Sequence, residues 1–146
     1  MRENEPQTFQ EEALDIAEKA HAGQKDKLGE DYIEHPKRVA AMGKNANERI
    51  VGLLHNVVED SSFSLAEIEA SGFPDEVIEA LDCLTKREGE AYTDYLARVK
   101  ENELARVVKL HDIEDNADLS RLSLLDPETR ERLIEKYTLA NNFLES

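Results

Sequence analysis

Tryptophan is missing from this sequence, and aromatic residues of all kinds make up only 5% of it. Six glycines and four prolines leave few of the turns that a β-sandwich or barrel needs. No segment alternates apolar and polar residues over any length, so extended half-buried strands are not expected either. No apolar run approaches the ~20 residues needed to cross a bilayer. The opening stretch, MRENEPQTFQEE, lacks the apolar core of a signal peptide. A single cysteine, Cys83, cannot form an internal disulfide. These features together predict a reducing, cytoplasmic location. Positive charge is also scarce: 18 Lys and Arg against 33 Asp and Glu give a formal charge of −15. Such a surface repels nucleic acid and anionic membranes, so neither is expected as a partner. A small anionic substrate would need a local basic patch or a metal ion.

What remains is a strongly helical pattern. The 146 residues suit one domain with a sizeable core. Residues 1–7 read as a flexible tail and 8–146 as a single all-α domain of about seven or eight helices. Thr8 and Glu11 form a capping-box pattern for a first helix that stops near Gly23. Gln24 to Pro36 is a long polar loop, and a short helix opens at His35-Pro36 and runs to Met42. A central helix is expected from about Asn47 to Asp60. Ser64 and Glu67 cap another, and Pro74 opens the next, with Val77, Ile78, Leu81 and Leu84 as its apolar stripe. Tyr92 to Lys100 and Glu103 to about Leu119 follow, and Asp126-Pro127 starts the last.

The central stretch, IVGLLHNVVED from Ile50 to Asp60, draws attention. Apart from His55 and Asn56 its first nine residues are apolar or glycine, so this helix should be buried. Burying an imidazole and an amide there is costly unless both find partners. At helical spacing His55 lies over Glu59, and Asn56 over Asp60. His35 opens the helix after the polar loop. Asp112 continues the inward stripe set by Val108, and Asp115 and Asn116 follow on the same side. His35, His55 and Asp112, drawn from three helices, suit one Mn, Fe or Zn ion. Glu59 and Asp60 would then position water or transfer protons, and Lys25 and Lys27 would bind phosphates. The same residues admit a plainer reading as hydrogen-bonded core histidines and solvated lysines, and spacing alone leaves both open.

Three segments, AHAGQKDKLGEDYIEHPKRVA, LLHNVVEDS and VVKLHDIEDNADLSRL, resemble in order and spacing the motifs of HD-domain phosphohydrolases. The nearest branch is the hydrolase domain of RelA/SpoT-type enzymes and the small alarmone hydrolases. The resemblance spans roughly Ala13 to Tyr137. It implies an all-α domain with one metal, usually Mn²⁺, that removes the 3′-pyrophosphate of (p)ppGpp. Carried over by position, the metal ligands fall on His35, His55, Asn56 and Asp112, and the catalytic acid pair on Glu59 and Asp60. Asn116 falls near the ribose or phosphate of the substrate, with Lys25 and Lys27 on the phosphates. The sequence departs from the pattern at Asn56, where the HD aspartate is expected, and a neutral amide is a poorer ligand for a hard cation. It departs at Asp26, where guanine-reading members carry an arginine, and at His111, which replaces a small residue. Two further functions therefore stand beside hydrolysis of an alarmone: a degenerate nucleotide-binding regulator, and a phosphohydrolase for another phosphorylated nucleotide.

Overall fold

The structure is a computed structural model that describes residues 6–146. Of the predicted tail, residues 1–5 lie outside the described residues. Ten helical segments and no strand occur among the described residues. They are α1 (Pro6–Ala20), α2 (Glu34–Ala41), α3 (Ala46–Leu54), α4 (Val57–Asp60), α5 (Leu65–Ala70), α6 (Asp75–Leu84), α7 (Tyr92–Lys100), α8 (Glu103–Asn116), α9 (Leu119–Leu122) and α10 (Pro127–Glu145).

Local chemistry explains the starts. Asn45 accepts from the Glu48 N–H at 2.9 Å to cap α3. Ser64 and Glu67 form a reciprocal capping box on α5. Asn102 caps α8, and Asp126 caps α10 with Pro127 at its first position. Each side-chain oxygen satisfies an N–H that the helix itself cannot pair.

Helix α3 sits at the centre. Ile50, Val51, Gly52, Leu53 and Leu54 are buried in succession, so the helix has no solvent face along that run. It packs against α1, α2, α6 and α8, and α8 in turn packs against α2, α6, α7 and α10. The site lies where α2, α3 and α8 meet.

Four expectations need correction. The first helix already includes Pro6 and Gln7, so Thr8 lies within it and not at its cap. The predicted Asn47–Asp60 helix is two segments, broken at His55 and Asn56. The physical reason is local: His55 Nδ1 donates to the Gly52 carbonyl at 2.6 Å, so the ring competes for an oxygen that helical hydrogen bonding would use. Helix α8 stops at Asn116 rather than Leu119. Asp118 turns the chain there, accepting from the Ser120 N–H at 2.8 Å to start α9. These breaks raise the helix number above the seven or eight expected.

The polar loop is ordered by its own groups. Lys25 and Asp31 pair as an isolated antiparallel bridge. Asp26 Oδ1 accepts from the Leu28 and Glu30 N–H groups at 2.9 and 3.0 Å. Gly29 takes a φ of +83° that closes the turn.

Gly52 sets how closely α2 and α3 approach. A Cβ there would lie 2.9 Å from Ala40 Cα and 3.0 Å from Ala40 N, which are backbone atoms and cannot swing aside. Alanine gains about 1 kcal/mol in helix propensity over glycine, but overpacking costs about 1–3 kcal/mol. Because both close atoms are backbone, Gly52→Ala is expected to destabilise the fold by a net of up to ~2 kcal/mol, read as a lower Tm in calorimetry. It also pushes His35 on α2 away from His55.

Candidate functional site

Helix α2 carries His35, the break after α3 carries His55, and α8 carries Asp112. All three side chains are buried, and one ligand atom from each lies within 4.8 Å of the others. Asp112 Oδ1 meets His35 Nε2 at 2.8 Å and His55 Nε2 at 3.2 Å. Its second oxygen accepts from Lys109 Nζ at 2.9 Å, and Asn116 Nδ2 donates to Oδ1 at 3.1 Å.

The outer nitrogens decide what the inner ones can do. A carbonyl only accepts, so the bond to Gly52 fixes a proton on His55 Nδ1 and leaves Nε2 with a lone pair. His35 Nδ1 faces Asp115 Oδ2 at 2.7 Å. Neutral His35 holds one proton but confronts a carboxylate at each nitrogen. Two imidazoles and a carboxylate thus converge with more acceptors than donors. This is the donor set and backing that suits a divalent cation.

Without a metal, a proton fills the deficit. Burial lowers the pKa of His35, but the bonds to Asp112 and Asp115 outweigh it and raise the value to about 9. Burial raises Asp112, yet Lys109, His35 and His55 hold it well below the carboxylate range. Asp115 is likewise resisted by burial and drawn down to about 2 by His35 and Arg38. Lys109 is disfavoured by burial, but Asp112 keeps its ammonium well above the usual range.

Two cavities flank the cluster and share Asn116 and Tyr137. The loop cavity, about 300 Å³, is lined by Lys25, Asp26, Lys27, Arg38 and Arg121. Its apolar wall is Leu28, Leu122, Leu125 and Leu133. The lysine cavity, about 570 Å³, is lined by Glu59, Lys86, Lys109, Lys136, Tyr92 and Tyr95. Lys136 Nζ lies 4.8 Å from the centre of the Tyr92 ring. Burial, then repulsion from Lys109 and Lys27, lower the pKa of Lys136, which marks positive charge with too little counter-charge.

The sequence-predicted residues divide between these places. His35, His55 and Asp112 form the cluster, Asn116 bridges both cavities, and Lys25 and Lys27 line the loop cavity. The Lys25 ammonium is paired with Asp31. The acid pair separates: Glu59 lines the lysine cavity and accepts from the Lys86 N–H. Asp60 lines neither cavity. Its backbone carbonyl accepts from Gln24 Nε2 at 2.7 Å. Its charge, after burial, helps to raise the Tyr32 hydroxyl pKa. Asn56 donates through Nδ2 to the Tyr32 hydroxyl at 2.7 Å, which leaves Oδ1 as the atom it can offer a cation. His111 has a buried Nδ1 with no hydrogen-bond partner.

Sequence reasoning missed Lys109 and gave Asp115 no role, although both sit at i±3 from Asp112 on one helix, a readable spacing. Arg38 likewise sits at i+3 from His35 on α2, whereas Lys86, Lys136, Arg121 and Tyr32 reach the site from other elements, and no local pattern marks them.

The architecture is an all-α bundle of the HD class built around a His-His-Asp cluster. A solved metazoan structure, described as an ortholog of SpoT that hydrolyses ppGpp and plays a role in starvation responses, matches with a TM-score of 0.68. It is 21% identical, and the match covers 93% of each chain. A probable guanosine-3′,5′-bis(diphosphate) 3′-pyrophosphohydrolase of Synechocystis is 34% identical over 129 residues, 77% of this chain and 16% of that protein. The guanosine-3′,5′-bis(diphosphate) 3′-pyrophosphohydrolase of Borreliella burgdorferi is 40% identical over 78 residues, 51% of this chain and 12% of that one. A GTP pyrophosphokinase of Streptomyces coelicolor is 39% identical over 80 residues, 52% of this chain and 9% of that protein. The chain therefore spans less than a fifth of the length of these curated relatives. No family model matches. In fold the chain is similar to the solved metazoan structure, and in sequence to the hydrolase part of these RelA/SpoT-type relatives.

The protonated His35 has a consequence for stability. Its folded pKa of about 9 exceeds the ordinary 6.5. The stabilisation is therefore complete below pH 6.5 and is lost as pH rises through 9. Chelator-treated protein is expected to lose roughly 2–3 kcal/mol of unfolding free energy between pH 6.5 and 9. Denaturant titrations across that range check this, and His35→Gln should flatten the dependence.

Proposed function

We propose that this domain is a metal-dependent phosphohydrolase that removes the 3′-pyrophosphate of (p)ppGpp or a closely related alarmone. The observation that carries the reading is a His-His-Asp cluster with a cation-lined cavity on each side, in a chain of net charge −15. A substrate with phosphates at both ends of a nucleoside fits that arrangement. So does the presence of guanosine-3′,5′-bis(diphosphate) 3′-pyrophosphohydrolases among the relatives.

His35, His55 and Asp112 would hold the ion, with Asn56 Oδ1 as a further ligand and Mn²⁺ as the family's usual metal. Such an ion, when bound, polarises a phosphoryl oxygen and activates water. The chain's own groups do the rest. Lys86, Lys109 and Lys136 bind the scissile pyrophosphate and stabilise its developing charge in a partly dry cavity. Glu59, at the rim of that cavity, takes the proton of the attacking water. Asp60 acts from behind, through Tyr32, on the placement of Asn56. Lys25, Lys27, Arg38 and Arg121 receive the second phosphate group, and the leucine wall with Tyr137 receives the base. Asn116, between the cavities, contacts the ribose or a phosphate. Hydrolysis would take place in the reducing cytoplasm, the compartment that a single unpaired cysteine suits.

Two observations favour the neighbouring readings. Asn56 lacks the charge of a carboxylate and is tied to Tyr32, which supports a nucleotide-binding protein with weak turnover. Asp26 is committed to its own turn and cannot stack on a base as an arginine does, which supports a nucleotide other than guanine.

Asn56→Asp separates these readings. It is expected to raise Mn²⁺ affinity about 10-fold or more and to increase pyrophosphate release from ppGpp. A variant that gains neither, over guanine and adenine alarmones alike, removes the hydrolase reading. Lys136→Ala is expected to raise KM for the phosphorylated substrate about 10-fold, the scale of one lost charged hydrogen bond. An unchanged KM would exclude phosphate binding in the lysine cavity.

A further inference from the structure

Beyond the cluster itself, one buried group takes part in no step above. Asp115 is 5% exposed and lies on α8, three residues after Asp112, so one helix face presents two carboxylates to one imidazole. Asp112 meets His35 Nε2, and Asp115 Oδ2 meets His35 Nδ1 at 2.7 Å. The other oxygen, Asp115 Oδ1, accepts from Arg38 Nε at 2.7 Å and from Arg121 at 2.9 Å. Both arginines line the loop cavity.

We infer that Asp115 is a positioning residue: it fixes the proton of His35 on Nδ1, and so aims the Nε2 lone pair at the ion that His35, His55 and Asp112 share. This rests on the metal reading proposed above. The division of labour within the carboxylate follows from donor chemistry. Arginine only donates, so Arg38 and Arg121 claim Oδ1. Oδ2 is left for His35, and a carboxylate oxygen accepts only, so the ring nitrogen facing it must carry the proton. The neutral ring has no other proton to give. Nε2 is then bare on the side where Asp112 and His55 converge. His55 obtains the same result from a backbone carbonyl, that of Gly52, so the two histidines are prepared in the same way by different means.

Replacement by asparagine makes the inference sharp. In Asp115→Asn the two arginines still require an acceptor, so the amide oxygen takes the Oδ1 position. The NH₂ group then faces His35 Nδ1. It can only donate, so Nδ1 becomes the acceptor and the proton moves to Nε2, blocking the ligand atom. Asp115→Ala imposes no tautomer. The order of Zn²⁺ affinity is therefore expected to be wild type, then Asp115→Ala, then Asp115→Asn. Asparagine should be weaker than wild type by 10- to 100-fold, the range typical of lost outer partners of metal ligands. A residue that served only packing would give the reverse order, with the isosteric asparagine milder than alanine.

The test is a Zn²⁺ titration of the full chain in competition with a chromophoric chelator, with circular dichroism confirming the fold of each variant. Asp118→Asn serves as the control. It removes an acid from the same arginine, Arg121, without touching His35, and should leave affinity unchanged. Wild-type binding with Asp115→Asn within threefold of it overturns this inference and leaves the metal reading standing. A wild-type chain that takes up no Zn²⁺ overturns both. Should the variants fail to fold, the Zn²⁺-loaded wild type decides the matter by nitrogen-15 NMR of its histidines. A protonated Nδ1 and a metal-bound Nε2 on His35 are expected, and the opposite assignment overturns the inference.

Discussion

The buried carboxylate of Asp112 is the point on which the site depends. Four groups converge on its two oxygens: Lys109 and Asn116 donate to them, and His35 and His55 bring their Nε2 atoms to Oδ1. They come from α2, from the break after α3, and from α8 itself. Burying a carboxylate is expensive unless it is paired and fully hydrogen-bonded. Its presence therefore demands that these elements meet at one point and in one register. The close crossing of α2 and α3 at Gly52 supplies the meeting. The break at His55 supplies the aim, since the ring that terminates α3 is held by the carbonyl of the same glycine. Fold and site are thus coupled through one short stretch, Gly52 to Asn56.

Charge is distributed so that a chain of net −15 presents cations where the cluster opens. The acids are spread over exposed helix surfaces, while Lys86, Lys109 and Lys136 gather in one cavity and Arg38, Arg121 and Lys27 in the other. Low-dielectric walls concentrate the field in such clefts, so local potential and not net charge governs what binds there. Burial first, and then the neighbouring Lys109 and Lys27, lower the pKa of Lys136. Each cavity has one buried carboxylate beside its cations: Asp115 pairs with Arg38 and Arg121, and Asp112 with Lys109.

How much of this was legible in the sequence depends on the range of each interaction. The capping box of Ser64 and Glu67, the Asp126-Pro127 start and the Tyr92–Lys100 helix are encoded by neighbours, and the structure reproduces them. The cluster of His35, His55 and Asp112 was reached from burial patterns and family resemblance, and the geometry brings the three together. The break at His55 was not legible, because hydrophobic periodicity runs straight through it. It arises from a side chain competing with the backbone for one carbonyl. Lys86 and Lys136 were not legible either, since each reaches the cavity from a distant helix or turn and looks in sequence like any solvated lysine. The separation of Glu59 from Asp60 has the same origin: adjacent residues on a four-residue helix point about 100° apart, so Glu59 lines the lysine cavity and Asp60 lines neither.

Asn56 gains its meaning from that arrangement. An asparagine in place of the expected aspartate removes one negative charge from a cluster already supplied with Asp112 and Asp115. It also adds a donor, and that donor is used, because Nδ2 holds the Tyr32 hydroxyl at 2.7 Å. An aspartate at the same place would meet the Tyr32 oxygen only by accepting its proton. The hydroxyl would then have to turn from its present role of acceptor to that of donor. Tyr32 packs edge-on against His21, with ring centres 5.0 Å apart, and lies beside His35 at 5.7 Å, so its ring is wedged between two imidazoles. The wedge and the amide fix each other, and the Asn56 oxygen is presented in one orientation. The charge given up at this position is thus accompanied by a gain in order, since the amide is held in place by a hydrogen bond that a carboxylate would make only with the hydroxyl reversed.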